Sequence, residues 1–435
     1  MSKWQTKKLS KVTEKIFSGG TPTTTNKAYW NGDINWLSSG ETSNRFIFDT
    51  IQKISLLGVE NSSTKLALQW DTVIASAGQG KTRGQTALLK VDSYINQSII
   101  ALRANRNEIT PLWLFYNLSN RYSELRNISD SHSSRGSLTT ALLKDLEISF
   151  PSINEQDKIT GILFAIDNKI QLNTQTNQTL EQIAQAIFKH WFIDFAPVHA
   201  KANALARGET IEQAELAAMA CLSGKTVEKI TALKTEDPTA YHQLQQTAAA
   251  FPSEFVETEM GQVPKGWEVK KIDEVIQKIP VGKKYNQKTT VPDGKIPVLD
   301  QGKSGIIGFH NDTAGVNASI QDPVIVFANH TCYMRLIHFD FSAIQNVFAF
   351  KGKNINIYWI YLATLGKQKF VEYKGHFPDF LIKQIVVPPK ELTEIFGDMV
   401  KDSFSKIALN LDTNEKLAKT RDLLLPRLLS GEIEL

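Results

Sequence analysis

The sequence predicts an α/β (α+β) chain in which two globular domains are separated by a pair of long helices packed as an antiparallel coiled coil, forming a pseudo-twofold repeat. Three observations predict this fold: an internal repeat, a heptad pattern within it, and a weaker similarity between the segments outside it. The chain has 435 residues, of which 42% are apolar, so it can form more than one domain with its own core.

The internal repeat is the clearest of these observations. The segment from Ile159 to Trp191, shifted by 237 positions, aligns without a gap on the segment from Phe396 to Leu428. Within it, Lys169-Ile-x-Leu-Asn173 falls on Lys406-Ile-x-Leu-Asn410. A gapless match of this length indicates two copies of one structural element.

Both copies show apolar residues at alternating steps of four and three, which is the a/d spacing of a coiled coil. We expect the helices to begin near Pro151 and Pro388-Pro389 and to end near Pro197 and Pro426. The seam positions are Ile159, Leu163, Ile166, Ile170, Asn173, Asn177, Leu180, Ala184, Ile187 and Trp191 in the first copy, and Phe396, Val400, Ser403, Ile407, Asn410, Asn414, Leu417, Arg421, Leu424 and Leu428 in the second.

Asparagines occupy two consecutive seam positions in each copy. Polar seam residues cost stability but fix the register of the helices. In an antiparallel pair, Asn173 and Asn177 would lie opposite Asn414 and Asn410 near the middle. Alternatively, each helix packs on its own globular domain.

The segments outside the helices resemble each other weakly and suggest the domain boundaries. Matching phrases are Trp4-x-x-Lys-Lys-Leu9 with Trp267-x-x-Lys-Lys-Ile272, Ile34-Asn-Trp-Leu with Ile296-Pro-Val-Leu, and Gln97-Ser-Ile-Ile with Gln345-Asn-Val-Phe. Predicted strands are Thr72–Ala75, Ile99–Leu102, Val324–Ala328 and Val347–Phe350, with helical stretches at 111–125 and 357–369. We expect a first domain at 1–150, a long helix at 151–197, a connector at 198–258 with two small helices and no site, a second domain at 259–387, and a second long helix with the C-terminal residues at 388–435.

Charge and composition limit the function classes. The net charge is +6 over residues 1–150, +6 over 260–387 and −8 elsewhere. Two basic blocks are expected for a protein that binds a polyanion, although ordinary surface charge also explains one such block. The two cysteines, Cys221 and Cys332, match no metal spacing and favour a reducing compartment. Because no apolar run of 18 residues or signal peptide is present, we expect a soluble cytoplasmic protein with no membrane partner.

Several phrases, taken in order along the chain, resemble a known family. They are Ser18-Gly-Gly-Thr-Pro22, Tyr29-Trp-Asn-Gly-Asp-Ile-Asn-Trp-Leu-Ser-Ser-Gly40, Ile166-Asp-Asn-Lys-Ile-x-Leu-Asn173, Ile187-Phe-Lys-His-Trp-Phe-Ile-Asp-Phe195, Gly261-Gln-Val-Pro-Lys-Gly-Trp267 and Leu424-Leu-Pro-Arg-Leu-Leu-Ser-Gly-Glu-Ile433. Each phrase is weak alone, but together they are specific and cover nearly the full length. On these residues the chain resembles the specificity subunits of type I restriction-modification enzymes, and its globular domains resemble their target-recognition domains.

The resemblance implies a non-catalytic subunit that binds double-stranded DNA and reads one half of a bipartite, asymmetric target with each domain. It also implies two methyltransferase subunits as partners, which modify adenine N6, and the capacity to recruit motor-nuclease subunits. This chain would then bind no cofactor itself. S-adenosylmethionine would be held by the methyltransferase subunits, and ATP and magnesium by the motor subunits.

Candidate DNA contacts in the first domain lie in loops rich in glycine and serine, since base reading needs cationic or amide side chains close to base edges. An ordinary surface turn is the alternative for each loop, and the Gly19-Gly20 loop could bind phosphate or be structural. The candidates are Thr21 in that loop, Gln79, Lys81, Arg83 and Gln85 in and beside the loop 78–84, and Ser134 and Arg135 in the loop 131–137.

Candidates in the second domain stand beside predicted strands and just before the long helix, where Lys374 and His376 correspond in position to the loop 131–137. We interpret the two histidines as polar contacts and not as metal ligands, since no second ligand stands at metal spacing. The candidates are Lys283, Lys284, Tyr285, Lys303, His330, Lys374 and His376.

Catalytic motifs are not recognisable. Gly78-x-Gly-Lys-Thr82 resembles part of a phosphate loop, but Ala75 stands where its first glycine is required. No Asn-Pro-Pro-aromatic string is present, which adenine methyltransferases use to hold a flipped base. Two alternatives remain open: a stand-alone methyltransferase or nuclease with its own recognition domains, and an adaptor that serves assembly only.

Overall fold

The structure is a computed structural model that describes residues 4–78, 80–131, 136–302 and 305–433. The described residues form two compact units. Unit 1 takes its residues from Met1–Leu172 and Thr413–Leu435, and unit 2 from Asn173–Asp412. Each unit therefore contains one globular domain and one part of each long helix.

The globular domain of unit 1 is built on three small sheets. Their strand orders are β1-β11, β2-β10-β7-β8-β4 and β5-β3-β9-β6. In chain order the elements are β1 (Gln5–Lys8), α1 (Leu9–Val12), β2 (Thr13–Ser18), β3 (Trp30–Leu37), β4 (Phe46–Ile47), β5 (Gln52–Ile54), α2 (Leu56–Glu60), β6 (Lys65–Ala67), β7 (Thr72–Ala75), β8 (Thr86–Leu89), β9 (Ser93–Ile95), β10 (Ile99–Ala104), α3 (Pro111–Asn120), α4 (Tyr122–Ser131), α5 (Thr140–Asp145), β11 (Glu147–Phe150) and the long helix α6 (Ile153–Phe192).

Unit 2 begins within α6 and contains the connector, the second globular domain and the first part of α14. The strand orders of its sheets are β12-β13, β14-β23, β15-β22-β19-β20 and β16-β21-β17-β18. Its elements are α7 (Ala196–Ala206), α8 (Ile211–Ser223), α9 (Val227–Glu236), α10 (Pro238–Ala249), β12 (Phe255–Thr258), β13 (Gly261–Pro264), β14 (Glu268–Lys271), α11 (Ile272–Val275), β15 (Ile276–Ile279), β16 (Lys284–Tyr285), β17 (Ile296–Leu299), β18 (Ile306–His310), β19 (Val324–Ala328), β20 (Met334–Ile337), β21 (Ser342–Ile344), β22 (Val347–Gly352), α12 (Ile357–Thr364), α13 (Phe377–Leu381), β23 (Gln384–Val387) and the long helix α14 (Lys390–Leu429).

The two globular domains share their central topology. The order β2-β10-β7-β8 in the first corresponds to β15-β22-β19-β20 in the second, and the pair β1-β11 corresponds to β14-β23. The sheets β5-β3-β9-β6 and β16-β21-β17-β18 also contain an equivalent parallel pair, β3 with β9 in the first and β17 with β21 in the second. The strands β7 and β19 are buried along their whole length, which suits continuous apolar runs covered on both faces. The sequence phrases that matched between the domains therefore occupy equivalent strands.

The long helices bury the predicted seam. Every seam position, from Ile159 to Trp191 and from Phe396 to Leu428, is buried or half-buried. Within unit 2, Asn410 Nδ2 donates a hydrogen bond to Asn177 Oδ1 at 2.8 Å. Each helix also buries residues outside the seam against a globular domain: Asp167 on α6 accepts a hydrogen bond from Tyr116, and Phe404 on α14 stacks on Tyr358.

A buried ion cluster joins the two helices within unit 1. Asp167 on α6 is 3% exposed, and it accepts hydrogen bonds from Arg421 Nη1 on α14 at 2.7 Å and from Tyr116 Oη on α3 at 2.8 Å. Arg45 Nη2 adds a longer ion pair at 3.5 Å. Burial, followed by the Asp167 carboxylate, raises the pKa of Tyr116, so the phenol stays protonated and donates. One carboxylate thus holds two helices and the first globular domain together.

Unit 2 joins the helices through aromatic rings instead. Phe396 on α14 is fully buried. Its ring centroid lies 5.7 Å from that of Phe188, 6.0 Å from that of Trp191 and 5.3 Å from that of Phe192, all on α6. Edge-to-face packing of this kind adds to the free energy of apolar burial.

The connector differs from the sequence prediction of two small helices. Residues 196–249, all of which the structure describes, form the four helices α7 to α10. The side chains of Thr210, Thr226 and Asp237 cap three of them. Buried residues of α8 to α10, including Met219, Ile230 and Tyr241, form a small core of their own. The connector is therefore a packed helical element.

Two prolines do not end the long helices where we predicted. α6 ends at Phe192, and Pro197 lies in the first turn of α7, where its missing N–H costs nothing. Pro426 lies inside α14, which continues to Leu429. The buried side chains of Leu425 and Leu428 pack in the core of unit 1, and this packing offsets the hydrogen bond that the proline removes.

Candidate nucleic-acid interface

The loop 78–84 of the first domain connects β7 to β8 and rests on α4. Gly78, Gly80 and Gly84 all have positive φ values, which glycine adopts without strain. The Gly80 carbonyl accepts a hydrogen bond from Arg126 Nη1 at 2.8 Å, and the Lys81 carbonyl accepts one from Tyr122 Oη at 3.0 Å. The backbone is therefore held by α4, while the Lys81 side chain is exposed.

Arg83 has a different place from the one we predicted. It is 7% exposed, and its guanidinium donates to the Gly136 carbonyl at 2.7 Å and pairs with Asp130. A buried guanidinium committed to these acceptors is not available to a base edge. Our assignment of Arg83 as a DNA contact was therefore wrong. Its side chain supports the loop by joining it to the segment that follows α4.

The remaining candidates of the first domain have mixed positions. Gln85 is half-buried, and its Oε1 accepts a long hydrogen bond of 3.5 Å from Thr42 Oγ1. Thr21 is half-buried and donates to Gln97. A Cβ at Gly19 would lie 1.8 Å from the Ile95 carbonyl, which favours a structural role for the Gly19-Gly20 loop. The candidates Gln79, Ser134, Arg135 and Lys303 lie outside the described residues.

Three candidates of the second domain, His330, Lys374 and His376, come together at the loop that follows β19. His330 N donates to Gln301 Oε1 at 2.8 Å, which joins this loop to the one after β17. The His330 ring lies within 2.9 Å of the Lys374 carbonyl, and Phe377 N donates to Asn329 Oδ1 at 2.8 Å. Sequence position alone placed these residues in three separate loops, and the structure brings them together.

His376 and Tyr285 are buried, so our assignment of these two residues as direct DNA contacts was wrong. His376 is fully buried, with its ring nitrogens facing Gln368 and the Glu372 carbonyl. Tyr285 is 5% exposed and donates from its hydroxyl to Asp312 Oδ2 at 2.9 Å. Both side chains satisfy polar partners inside the domain and therefore support the surface without forming it.

The lysines of the second domain are exposed, but two of them have acidic partners. Lys283 Nζ lies 2.9 Å from Asp312 Oδ2, and this hydrogen bond raises the pKa of Lys283. Lys374 Nζ lies 3.3 Å from Asp379 Oδ2, and the bond to Asp379 raises its pKa as well. Lys284 is exposed on the edge strand β16. Lys283 and Lys374 therefore remain protonated at neutral pH and can exchange their surface partners for phosphate, whereas burial lowers the pKa of Lys284.

The loops that carry candidates are equivalent in the two domains. The loop after β7 contacts the segment at Gly136 through Arg83, and the loop after β19 contacts the segment at His376, whose N donates to the Asn329 carbonyl at 3.0 Å. At Gly136 and His376, which belong to the described parts of the segments 131–137 and 374–377, the structure supports the predicted correspondence.

Sequence reasoning missed an exposed aromatic residue at this place. Tyr373 is 84% exposed, and its ring stacks on His330 with the centroids 4.9 Å apart. Phe370 and Val371 beside it are also exposed. The signal was present as aromatic residues interleaved with lysines over 367–374, a pattern suited to stacking and phosphate contact.

The described ranges contain neither a metal-binding cluster nor a membrane-spanning helix. No group of three or more His, Cys, Asp or Glu side chains in that part of the chain is placed to hold a metal ion. Likewise, no described helix combines the length and apolar character that crossing a membrane requires.

Comparison with known proteins identifies the family. Residues 1–182 match the family model described as the type I restriction modification DNA specificity domain. The type I restriction enzyme HindI specificity subunit of Haemophilus influenzae is 32% identical, covering 92% of this chain and 94% of that protein. The MjaIX specificity subunit of Methanocaldococcus jannaschii is 24% identical, covering 99% and 93%.

A solved structure supports the fold. The type I restriction-modification S subunit from M. genitalium has a TM-score of 0.52 at 14% identity, covering 98% of this chain and 96% of that one. The chain therefore belongs to the family of type I restriction enzyme specificity subunits, which read the DNA target.

Proposed function

We propose that this chain reads a bipartite, asymmetric DNA sequence, with one half-site for each recognition domain. The observation that carries the proposal is that equivalent loops, after β7 and after β19, stand on the same strand order but present different side chains. The first offers Lys81 at a glycine-rich tip, and the second offers His330 stacked on Tyr373. Two domains with one frame and unlike reading surfaces suit two unlike half-sites.

We further propose that α6 and α14 pair as an antiparallel coiled coil related by a pseudo-twofold axis. The pairing of Asn177 with Asn410 inside unit 2 supports this, as does the bond from Asn414 Nδ2 to the Ile170 carbonyl inside unit 1, at 3.4 Å. The length of such a helix pair would set the gap between the half-sites, as dimer geometry does in symmetric DNA-binding proteins.

The catalytic steps are proposed to belong to partner chains. Two methyltransferase subunits would bind this chain, hold S-adenosylmethionine and methylate adenine N6, and motor-nuclease subunits using ATP and magnesium could join them. The absence of the phosphate-loop and base-holding motifs from the sequence supports this division. The chain would itself bind DNA and these subunits only.

Mapping N6-methyladenine across the genome of a host that expresses the chain with its methyltransferase tests the proposal. We expect one gapped, asymmetric motif. Lys81→Ala should relax the motif in one half-site and Tyr373→Ala in the other, since a lost base contact costs about 1–3 kcal/mol of discrimination. Lys27→Ala, an exposed lysine of the first domain, is the control and should leave the motif unchanged.

Two outcomes would contradict the proposal. Equal relaxation of both half-sites by either variant would exclude separate readers. Equal affinity of the assembled complex for cognate and random duplexes at fixed salt would leave only the adaptor interpretation. Methylation or cleavage by the purified chain alone would instead support the stand-alone enzyme.

A further inference from the structure

The first recognition domain contains a cleft that none of the predicted DNA contacts line. It has a volume of about 480 Å³ and lies between α1, β2, β6, β10 and α5. We call it the β2 cleft. Its lining residues are Ser10, Thr13, Glu14, Lys15, Ile16, Phe17, Lys65, Leu66, Arg103 and Lys144.

Three lysines of the β2 cleft lack acidic partners. Lys15, Lys65 and Lys144 are exposed, and their ammonium groups make no ion pair or hydrogen bond with any residue in the described ranges. Nearby lysines of the same domain do have such partners: Lys7 pairs with Glu108 and Lys8 with Asp145. The cleft therefore gathers three lysines without ion-pair partners at one place.

The fourth cation of the cleft is held rigidly. Arg103 Nε donates to Asp71 Oδ1 at 2.9 Å and Nη2 donates to Asp71 Oδ2 at 2.7 Å. Asp71 is 2% exposed and also accepts from Leu68 N at 2.9 Å, so its carboxylate is fixed in turn. These two hydrogen bonds fix the position of the Arg103 guanidinium in the cleft.

The strand register brings like charges together. Lys15 on β2 stands directly opposite Arg103 on β10. Like charges at opposite positions of an antiparallel pair destabilise the sheet unless an anion lies between or above them. Asp71 compensates Arg103, which leaves three lysines against one lining carboxylate, Glu14. The cleft therefore has an excess positive charge that a bound anion would compensate.

Apolar side chains complete the lining. Phe17 stands two positions after Lys15 on β2, so both side chains point to the same face. Leu66 is 40% exposed beside Lys65. A ligand that carries phosphate next to a sugar or base would contact both the lysines and these apolar groups, whereas inorganic ions would use the lysines only.

We propose that the β2 cleft binds the phosphate groups of nucleotides, and that its source of phosphate is the DNA backbone. Lysine ammonium groups are point charges suited to phosphate contact, and such contacts position a protein on DNA without reading its sequence. The DNA source rests on the proposed function. A free nucleotide polyphosphate is the other source of the same chemistry, and that source does not depend on the proposed function.

The test replaces the three lysines in the full chain: Lys15→Gln, Lys65→Gln and Lys144→Gln. A control variant with the same loss of charge carries Lys27→Gln, Lys158→Gln and Lys169→Gln, which are exposed lysines of unit 1 outside the cleft. Binding of a fluorescent duplex is measured by anisotropy over a series of salt concentrations. Binding of inorganic tripolyphosphate and of ATP is measured by calorimetry. Thermal melting checks that both variants fold.

If the cleft contacts the DNA backbone, the cleft variant lowers the slope of log affinity against log salt by about 2 to 3, because each phosphate contact contributes about 0.9. The control variant changes the slope by less than one unit. Loss of tripolyphosphate and ATP binding in the cleft variant, with unchanged duplex binding, supports the site with a free nucleotide as its ligand.

Equal slopes for the two variants, together with unchanged binding of both phosphate compounds, overturn the proposal. This failure is separable from that of the proposed function. The salt slope can be measured on any duplex, whereas the two-reader proposal depends on preference for the cognate sequence. A chain that prefers its cognate duplex but shows no cleft effect keeps the function and loses the site.

Discussion

The two recognition domains share their central strands and differ at one edge. In the first domain the edge strand β6 runs antiparallel to β9, whereas in the second the edge strand β16 runs parallel to β21. Each edge strand carries a lysine, Lys65 on β6 and Lys284 on β16. Beside β16 the preceding residue, Lys283, pairs with Asp312, whereas Lys65 pairs with no described residue. An edge strand has one neighbour to satisfy, so it can change direction and charge while the buried strands keep their order.

The units also differ in how they hold the long helices. Unit 1 uses the buried ion cluster around Asp167, and unit 2 uses the aromatic rings around Phe396. Ionic and aromatic contacts fail in different ways when one side chain is changed.

Phe396→Ala should have the largest effect on stability. Removal of a fully buried phenylalanine from a packed core costs about 3–5 kcal/mol, since the ring contacts are lost and a cavity remains. Denaturant unfolding of the full chain, followed by tryptophan fluorescence, should show a shift in the transition of unit 2. Leu409→Ala, on an exposed face of the same helix, is the control. A shift of similar size in the control would contradict the aromatic cluster as the main contact.

Asp167→Asn should destabilise unit 1 by a smaller amount. The asparagine keeps the shape but loses the charge that Arg421 and Arg45 face, and hydrogen bonds to charged groups contribute about 1.5–3 kcal/mol. The exposed Asp157→Asn on the same helix controls for the change in net charge. Hydrogen exchange of α3 and of the C-terminal part of α14 should rise in the Asp167 variant. If hydrogen exchange rose only in unit 2, the ion cluster around Asp167 would not be the contact that stabilises unit 1.

Asn410→Ala should cost less again. Asn410 is 4% exposed and its hydrogen bond to Asn177 is neutral, so its loss is expected to cost about 0.5–1.5 kcal/mol. The matched control is the exposed Gln178→Ala on α6. The same denaturant experiment measures both. If Asn410→Ala cost more than Asp167→Asn, the asparagine pair would contribute more to stability than the ion cluster, contrary to our ranking.

Lys283→Gln should have the smallest effect, visible as a change of pKa. The hydrogen bond from Lys283 is the largest cause that lowers the pKa of Asp312, followed by the hydrogen bond from Tyr285. A lowered carboxyl pKa stabilises the fold above the ordinary pKa of aspartate, and this stability is lost as the pH falls through the folded value.

Carboxyl NMR titration of the Lys283 variant should show the Asp312 pKa rising toward its ordinary value. Tyr285→Phe should raise it by less. Lys65→Gln in the first domain should shift no carboxyl group, because Lys65 has no described acidic partner. A shift there of the same size would remove the contrast between the two edge strands.

The long helices and the central strands could be predicted from the sequence because they depend on local periodicity. Seam positions such as Ile159 and Leu428 follow the heptad, and β7 and β19 are continuous apolar runs. The extra connector helices were also visible locally, since Thr210 and Gln213 form a capping box that we did not use. Pro426 was misleading because tertiary packing of the surrounding leucines outweighs its local preference.

The candidate site was less accessible to sequence reasoning. Arg83 and His376 have the residue types of DNA contacts, but Arg83 donates to the Gly136 carbonyl and His376 N donates to the Asn329 carbonyl, and both acceptors come from other segments. Whether a polar side chain faces solvent or a buried acceptor depends on such long-range contacts, which no short pattern contains. Tyr373 is different, because the aromatic residues interleaved with lysines over 367–374 are a local signal that we did not use.

The discontinuity of unit 1 has a consequence for biosynthesis. Its core contains Leu425, Leu428 and Leu429, which are translated only after all of unit 2. At about 5–20 residues per second, the 240 residues from Asn173 to Asp412 take roughly 10–50 seconds to make. During that interval the first domain presents an uncovered apolar surface to chaperones. Unit 2, a continuous stretch, should therefore reach protease resistance first on stalled ribosomes, in reverse of the usual N-terminal order.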